Sequence, residues 1–140
     1  NTLYLDNQNG RGVKDRMSYK KQPGVGKFVI KPWGYEKIWA HTDKYVGKIL
    51  HIEPGHRLSE QYHEIKDEAI YVLEGTLQLV LDEGDVQVTL EPGSSFHISP
   101  GRVHRFVAPM HGSAVKLLEV STPELDDVVR LEDDYNRTES

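Results

Sequence analysis

Short runs in which every second residue is apolar, separated by Pro-Gly turns, are the feature of this sequence that most constrains its fold. Leu77, Leu79 and Leu81 occupy alternate positions of one run, and the next run, 85–90, repeats this spacing. Because successive side chains of a β-strand point to opposite faces, each run predicts a strand with one buried face. Pro followed by Gly favours hairpin connections over helices. Three Pro-Gly pairs stand between such runs, at positions 54–55, 92–93 and 100–101.

Ten runs of this kind predict an all-β barrel or sandwich. They cover 27–30, 35–40, 45–52, 57–63, 68–75, 76–82, 85–90, 94–99, 104–109 and 114–120. The segment 122–137 predicts a short C-terminal helix or extension, with Thr122 as the helix cap and Pro123 at the first helical position. Residues 1–26 lack a sustained period and predict an N-terminal arm, which leaves 27–140 as the single domain.

Composition restricts the class of partner and the kind of metal site. The 140 residues carry a formal net charge of -5, which disfavours binding to nucleic acid or to an anionic membrane. The sequence contains no Cys, so a metal would need His, carboxylate or amide ligands. No apolar run of membrane-spanning length and no signal-peptide pattern is found, and we expect a cytoplasmic protein.

Polar residues fall on strand faces that should point into the barrel. Gln61 and His63 are two residues apart and therefore project to the same side of their strand. Glu68 shares its parity with Ile70 and Val72, so its carboxylate is expected on the apolar face. A buried ionised carboxylate is strongly unfavourable unless a partner compensates its charge, and a divalent cation would do so.

His104 completes a candidate metal site, because it alternates with Phe106 and should also point inward. Gln61, His63, Glu68 and His104 would hold Zn²⁺, with Mn²⁺, Fe²⁺, Co²⁺ or Ni²⁺ as alternatives, and would leave open positions for a substrate. An ordinary explanation also exists for each residue, such as a rim ion pair for Glu68. The candidate site excludes the other five histidines, at positions 41, 51, 56, 97 and 111.

The segment 55–75 resembles the first sequence motif of the cupin superfamily. Gly55, Gln61, His63, Glu68 and Gly75 match its spacing, with Gln61 where most cupins have His. The segment 93–104 is similar to the second cupin motif. In that motif Pro100 stands one place late and the closing Asn is absent. The resemblance implies a single cupin jelly-roll barrel and the metal ligands named above.

A narrower resemblance connects the chain with phosphomannose isomerases, in which Gln replaces the first His. The stretches "KPWGYEKI", "SPGRVHRF" and "LDDVVRLEDDYNR" are similar to segments of the isomerase domain of bifunctional mannose-1-phosphate guanylyltransferase/mannose-6-phosphate isomerases. Lys31 replaces an Arg of that pattern, and Ala69 replaces a His. No counterpart of the Gly-rich nucleotide loop is found, so the resemblance does not imply guanylyltransferase activity.

This resemblance implies a metal-dependent aldose-ketose isomerase acting on a sugar phosphate, most simply mannose 6-phosphate to fructose 6-phosphate. Lys66 and Lys48, both expected to point inward, are the candidate catalytic residues. Arg57, Arg102 and Ser59 are the candidate substrate-binding residues, since Arg binds phosphate well. The sequence does not identify a catalytic base.

Two alternatives share the fold, and one partner follows from the resemblance. An iron-dependent dioxygenase could use His63, His104 and Glu68 as a facial triad. A non-catalytic sugar-binding or regulatory cupin is also open, because fold does not determine activity.

Three aromatic residues are expected to pack on an outer strand or at a subunit interface, namely Trp33, Tyr35 and Trp39. The resemblance implies a homodimer.

Overall fold

The computed structural model describes residues 26–137, and all strands in this range pair antiparallel in two sheets. One sheet has six strands in the order β1-β2-β3-β10-β5-β8, and the other has five in the order β11-β4-β9-β6-β7. Residues 1–25, and with them nearly all of the predicted arm, lie outside the described range. The strands are β1 Phe28–Lys31, β2 Gly34–His41, β3 Val46–Ile52, β4 Glu60–Tyr62, β5 Glu68–Glu74, β6 Leu77–Leu81, β7 Val86–Leu90, β8 Ser95–Ile98, β9 His104–Val107, β10 Val115–Ser121 and β11 Val129–Glu132.

The predicted alternation of apolar residues forms the core between the two sheets. Leu77, Leu79 and Leu81 of β6 are fully buried, as are Val115 and Leu117 of β10. They join one cluster with residues of β3, β5 and β9. Burial of this apolar surface is the main favourable contribution to folding. The prediction of an all-β fold is confirmed, and the structure has one strand more than the ten predicted runs, because β11 forms after position 122.

The C-terminal segment departs from the expected helix. Residues 125–126 form a turn, and β11 then pairs with β4, where Arg130 lies opposite Gln61. The predicted cap residue, Thr122, instead accepts a hydrogen bond from the backbone N–H of Asp67 at 3.0 Å. The prediction of a helix was wrong because long-range strand pairing outweighs the local signals of Thr122 and Pro123. The alternative expectation, an extension, describes this segment.

Gly75 shows why the turn that leads from β5 in the six-stranded sheet to β6 in the five-stranded sheet requires glycine. Its φ of +78° lies in the left-handed region, and a Cβ atom at this position would overlap the backbone carbonyl of Ala114.

No helix within 26–137 has the length and apolar character needed to cross a membrane.

Candidate metal centre

In the five-stranded sheet, antiparallel pairing places three polar residues in one row across neighbouring strands. Gln61 of β4 lies directly opposite His104 of β9, and on its other side opposite Arg130 of β11. Residues directly opposite each other on antiparallel strands point to the same face of the sheet. The row therefore projects an imidazole, an amide and a guanidinium toward the barrel interior.

His63, Glu68 and His104 form a buried cluster in which each side chain can offer one ligand atom. The Oε2 atom of Glu68 lies 2.9 Å from Nε2 of His63 and 3.2 Å from Nε2 of His104. When two ligand atoms each lie about 2.0–2.2 Å from one metal ion, the separation between them is close to these atom-to-atom distances in the cluster. The cluster is the one such His and acidic group found within the described part of the chain.

The outer nitrogens of both imidazoles are fixed by backbone carbonyls. His63 Nδ1 lies 2.6 Å from the carbonyl oxygen of Asp127, and His104 Nδ1 lies 2.9 Å from that of Arg102. Since a carbonyl can only accept, each Nδ1 carries the proton and donates it. In a neutral imidazole Nε2 then presents a lone pair, as metal-binding histidines do when a carbonyl orients them.

The lone pairs therefore face the carboxylate of Glu68, which is unfavourable unless a cation or a proton lies between them. Nε2 of His104 is buried and makes no hydrogen bond. Burial raises the pKa of Glu68, but its contacts with His104 and His63 and the charge of Lys66 outweigh burial and hold that pKa well below its ordinary value. A divalent metal ion between the two imidazole lone pairs and the carboxylate would remove this conflict, and the cluster fits such an ion.

A cavity of about 280 Å³ adjoins this cluster, with His63 in its wall. Its volume is just below the range of about 300–1,000 Å³ that is typical of small-molecule sites. The apolar part of the wall comes from Trp33, Ile38, Leu50 and Phe106, and the polar part includes Ser59 and Gln61. Ser59 donates a hydrogen bond to Gln61 Oε1 at 2.7 Å, which holds the amide in place.

Lys66 and Lys48 line the cavity as buried cations, each beside a carboxylate. Lys66 Nζ lies 3.1 Å from Glu119 Oε2 and 3.8 Å from Glu68 Oε1. Burial lowers the pKa of Lys66, but the charges of Glu119 and Glu68 outweigh burial and raise that pKa above its ordinary value. Lys48 Nζ lies 3.3 Å from Glu36 Oε2.

Glu119 is a site residue that the sequence reasoning missed. It lies on the inner face of β10, opposite Lys48 of β3, and lines the cavity. Burial raises the pKa of Glu119, and the charge of Glu68 raises it further. The spacing of Val115, Leu117 and Glu119 could have revealed it, because the carboxylate shares the parity of two buried apolar residues.

Two of the three predicted substrate-binding residues lie away from this cavity. Arg57 forms a paired contact with Asp134, at 2.7 and 2.9 Å, and Arg102 forms one with Asp82, at 3.2 and 3.1 Å. Neither arginine lines the cavity, whereas Ser59 does. The structure thus brings together the predicted ligands, the two lysines and Ser59, but not the two arginines.

The predicted aromatic packing residues differ in their exposure. Trp33 is buried in the core and lines the cavity, and Tyr35 stacks between Phe28 and His51. Trp39 is 43% exposed on β2. The homodimer inferred from the resemblance stays a prediction.

Residues 48–121 match the family model described as "Cupin domain", and this match covers more than half of the chain. The chain belongs to the cupin family. Among curated proteins, it is 37% identical over 117 residues to the "Mannose-1-phosphate guanylyltransferase" of Escherichia coli (strain K12), which covers 81% of this chain and 24% of the relative. The chain therefore spans about a quarter of the length of the curated relatives that it matches.

Solved structures support the same assignment. An RmlC-like cupin from Shewanella frigidimarina has a TM-score of 0.63 at 17% identity, over 77% of this chain and 93% of that chain, which shows the fold alone. A sugar phosphate isomerase from a cupin superfamily of Silicibacter pomeroyi has a TM-score of 0.54 at 25% identity, over 63% of this chain and 58% of that chain. The cupin resemblance and the jelly-roll barrel are confirmed.

Proposed function

We propose that this chain is a metal-dependent aldose-ketose isomerase that converts mannose 6-phosphate to fructose 6-phosphate. The observation that carries the proposal is a buried His63–Glu68–His104 cluster beside a small-molecule cavity that also contains the Lys66–Glu119 pair. Support also comes from a relative named for mannose 1-phosphate and a structural neighbour named a sugar phosphate isomerase. The isomerase chemistry needs a Lewis acid, a base and stabilisation of an oxyanion, and this cavity offers candidates for each.

The metal in this proposal is Zn²⁺, held by His63, Glu68, His104 and the amide oxygen of Gln61. Three of these ligands form the compact cluster, and Gln61 lies opposite His104 on the adjacent strand. This ligand set has one negative charge, so a divalent centre keeps a net positive charge. When bound, the ion supplies a Lewis acid at the oxygens of sugar carbons 1 and 2.

Glu119 is the residue we assign to proton transfer. Its carboxylate accepts the proton from carbon 2 of the aldose and returns it to carbon 1, while the hydroxyl proton on the oxygen of carbon 2 passes to the oxygen of carbon 1; the two transfers together convert the aldose to the ketose through an enediolate. The geometry that supports this role is the position of Glu119 in the cavity wall, 3.1 Å from Lys66 Nζ. Burial raises the pKa of Glu119 above its ordinary value, which makes its carboxylate a stronger proton acceptor.

Lys66 and Lys48 stabilise the negative charge that develops on the sugar oxygens. Both ammonium groups are buried in the cavity wall, where a charge acts in a medium of low dielectric. Their carboxylate partners, Glu119 and Glu36, fix their positions. The apolar wall around Trp33 and Phe106 limits the access of water to the enediolate.

The first experiment measures metal content and turnover together. The purified chain is analysed by mass spectrometry for bound metal and assayed with a panel of aldose phosphates, with and without chelator. We expect about one divalent ion per chain, and turnover of mannose 6-phosphate that the chelator removes. His63→Ala should lose both, whereas His111→Ala, a change at an exposed histidine, should lose neither. Unchanged turnover in His63→Ala would show that the metal mechanism is wrong.

A second experiment tests the base. Glu119→Gln keeps the shape of the side chain and removes its proton-accepting carboxylate. We expect turnover to fall by about 100- to 10,000-fold, the usual contribution of general acid-base catalysis, while metal content is retained. A loss below about threefold would exclude Glu119 as the base.

The alternatives predict different outcomes of the first experiment. Redox-active iron with substrate-dependent oxygen uptake would replace the isomerase by a dioxygenase that uses the His63–Glu68–His104 triad. A metal-free chain that binds sugar phosphate without turnover would favour a regulatory cupin.

A further inference from the structure

The charge of the cavity wall contrasts with that of the whole chain. Among the described residues, six lysines and arginines line the cavity against three carboxylates, whereas the whole sequence has a net charge of -5. The six cations are Lys27, Lys31, Lys48, Lys66, Arg130 and Arg137, and the carboxylates are Glu36, Glu119 and Asp126. A positive concave surface on an acidic protein concentrates small anions inside it.

Three of these cations line the cavity and lie near one another, since the charges of Arg137 and Arg130 both act on Lys31. Arg130 is on β11, Arg137 follows five residues after that strand, and Lys31 ends β1 in the other sheet. Nη1 of Arg130 lies 3.4 Å from the carbonyl oxygen of Arg137. We call Lys31, Arg130 and Arg137 the basic cluster.

The carboxylates near the basic cluster do not satisfy all of its donors. Lys31 Nζ lies 3.9 Å from Glu36, whose carboxylate is closer to Lys48. Arg137 pairs with Asp133, at 2.9 and 3.2 Å. Nε of Arg130 is buried and has no hydrogen-bond partner. A buried guanidinium nitrogen without an acceptor is unfavourable, and an anion in the cavity would supply the acceptor.

The electrostatics of the cluster agree with this geometry. Burial lowers the pKa of Arg130, and the neighbouring charge of Arg137 lowers it further. Burial also lowers the pKa of Lys31, with Lys48, Arg137 and Arg130 contributing and Glu36 opposing. Like charges gathered in this way repel one another, and a bound dianion would relieve the repulsion.

The position of Arg130 relative to the metal centre sets the length of the ligand. Arg130, Gln61 and His104 are opposite one another on three successive strands. Neighbouring strands are about 4.8 Å apart, so the backbone of Arg130 is roughly 10 Å from that of His104. This separation is comparable to the distance between the carbonyl end and the phosphate end of a hexose 6-phosphate.

We propose that the basic cluster of Lys31, Arg130 and Arg137 is an anion-binding site for the phosphomonoester of the substrate, with Arg130 Nε donating to a phosphate oxygen. The site rests on the proposed isomerase function for the identity of the sugar, but not for the binding of phosphate. It differs from Arg57 and Arg102, the candidate phosphate-binding residues that the sequence suggested, and neither of these lines the cavity.

Calorimetric titration of the full metal-loaded chain with inorganic phosphate tests the site without using activity. Arg130→Gln should weaken phosphate binding by about 10- to 100-fold, the range expected for loss of a hydrogen bond between charged groups. Arg130→Lys should restore part of the affinity, because it keeps the charge but not the fork of donors. Lys37→Gln removes one exposed lysine of β2 and should bind like the unmodified chain. Phosphate affinity that is unchanged in Arg130→Gln, or lost instead in Arg57→Gln or Arg102→Gln, would overturn the assignment.

Steady-state kinetics separate this proposal from the proposed function. With mannose 6-phosphate, Arg130→Gln should raise KM by about 10- to 100-fold and change kcat much less, since the phosphate is remote from the reacting carbons. Metal content and thermal unfolding of the variant should match the unmodified chain. If the unmodified chain turns over no sugar phosphate, the isomerase proposal fails, and the calorimetric result alone supports or overturns the anion site.

Discussion

Strands β3, β5 and β10 each contribute apolar side chains to one part of the barrel interior and charged side chains to another. Leu50, Leu117 and Val72 lie opposite one another in a row of fully buried apolar residues. Two residues further along β10, Glu119 lies opposite Lys48. The backbone pairing is the same in both parts, so the difference between them lies in the side chains alone.

The apolar and charged parts have opposite effects on stability. Burial of an apolar side chain stabilises the fold by about 1.5–3 kcal/mol. Removal of two charges from water is unfavourable, and the attraction within a buried pair such as Lys66–Glu119 often does no more than offset it. The buried charges therefore add little to stability, which agrees with their assignment to the proposed function, while the apolar part stabilises the fold.

The largest effect is expected from a cavity in the apolar part. Leu117→Ala should lower the free energy of unfolding by about 2–5 kcal/mol, because Leu117 is fully buried and its neighbours cannot fill the space. Urea unfolding measures the change. Val120→Ala, on the outer face of the same strand, should change stability by less than about 0.5 kcal/mol. Equal losses in the two variants would contradict the assignment of the core.

Replacement of the buried ion pair by apolar residues should not lower the free energy of unfolding, in contrast to Leu117→Ala. The double variant Lys66→Met, Glu119→Leu fills the same space without charges, and should leave the free energy of unfolding unchanged or raise it by about 1–4 kcal/mol. The proposed isomerase activity should be lost. Urea unfolding and the turnover assay measure the two effects. A loss of more than roughly 2 kcal/mol would mean that the pair stabilises the barrel.

The parts of this molecule that follow from local alternation could be predicted from the sequence. Leu77 and Leu79 revealed a strand, and the parities of Glu68 and His104 placed both side chains in the interior, where the structure has them. Parity is a property of a few consecutive residues. It does not depend on which strands become neighbours, and for this reason Glu119 could have been found in the same way.

Features that depend on strand neighbours were not accessible. The segment after Thr122 has local signals for a helix, but β11 pairs with β4, which is nearly 70 residues earlier in the chain. The positions of Arg130 and Arg137 in the cavity wall depend on that pairing. Arg57 and Arg102 were expected at the substrate site because the carboxylates that pair with them, Asp134 and Asp82, cannot be identified from spacing.

A smaller effect on stability is expected at Asp127, which contacts both His63 and the backbone of residues 64–66. Its carboxylate accepts hydrogen bonds from the backbone N–H groups of Glu64, Ile65 and Lys66 at 2.7–3.1 Å, and its carbonyl orients His63. Asp127→Asn should lower the free energy of unfolding by about 1–2 kcal/mol, because an NH2 group replaces one of the two accepting oxygens and cannot accept from a backbone N–H.

Asp127→Asn should also weaken metal binding, which tests whether Asp127 has a role beyond stability. Disturbed orientation of His63 should weaken metal binding by about 10-fold, as changes behind a metal ligand typically do. Metal titration and urea unfolding of Asp127→Asn measure the two losses, with Asp43→Asn, an exposed carboxylate, as the control. Lost stability with unchanged metal affinity would limit Asp127 to a structural role.

The smallest effect is expected at the exposed pair of Arg57 and Asp134, whose side chains are 42% and 39% exposed. Arg57→Gln should lower the free energy of unfolding by about 0.2–1 kcal/mol, and less at high salt, which screens exposed charges. A hydrogen bond from Arg57 lowers the pKa of Asp134, so the contribution is present above the ordinary carboxyl pKa of about 3.9 and is lost as the pH falls through the lowered value. Urea unfolding at neutral and acidic pH, with Lys44→Gln as the control, measures this difference. A larger loss of stability in Arg57→Gln than in Asp127→Asn would show that exposure does not limit the contribution of this ion pair.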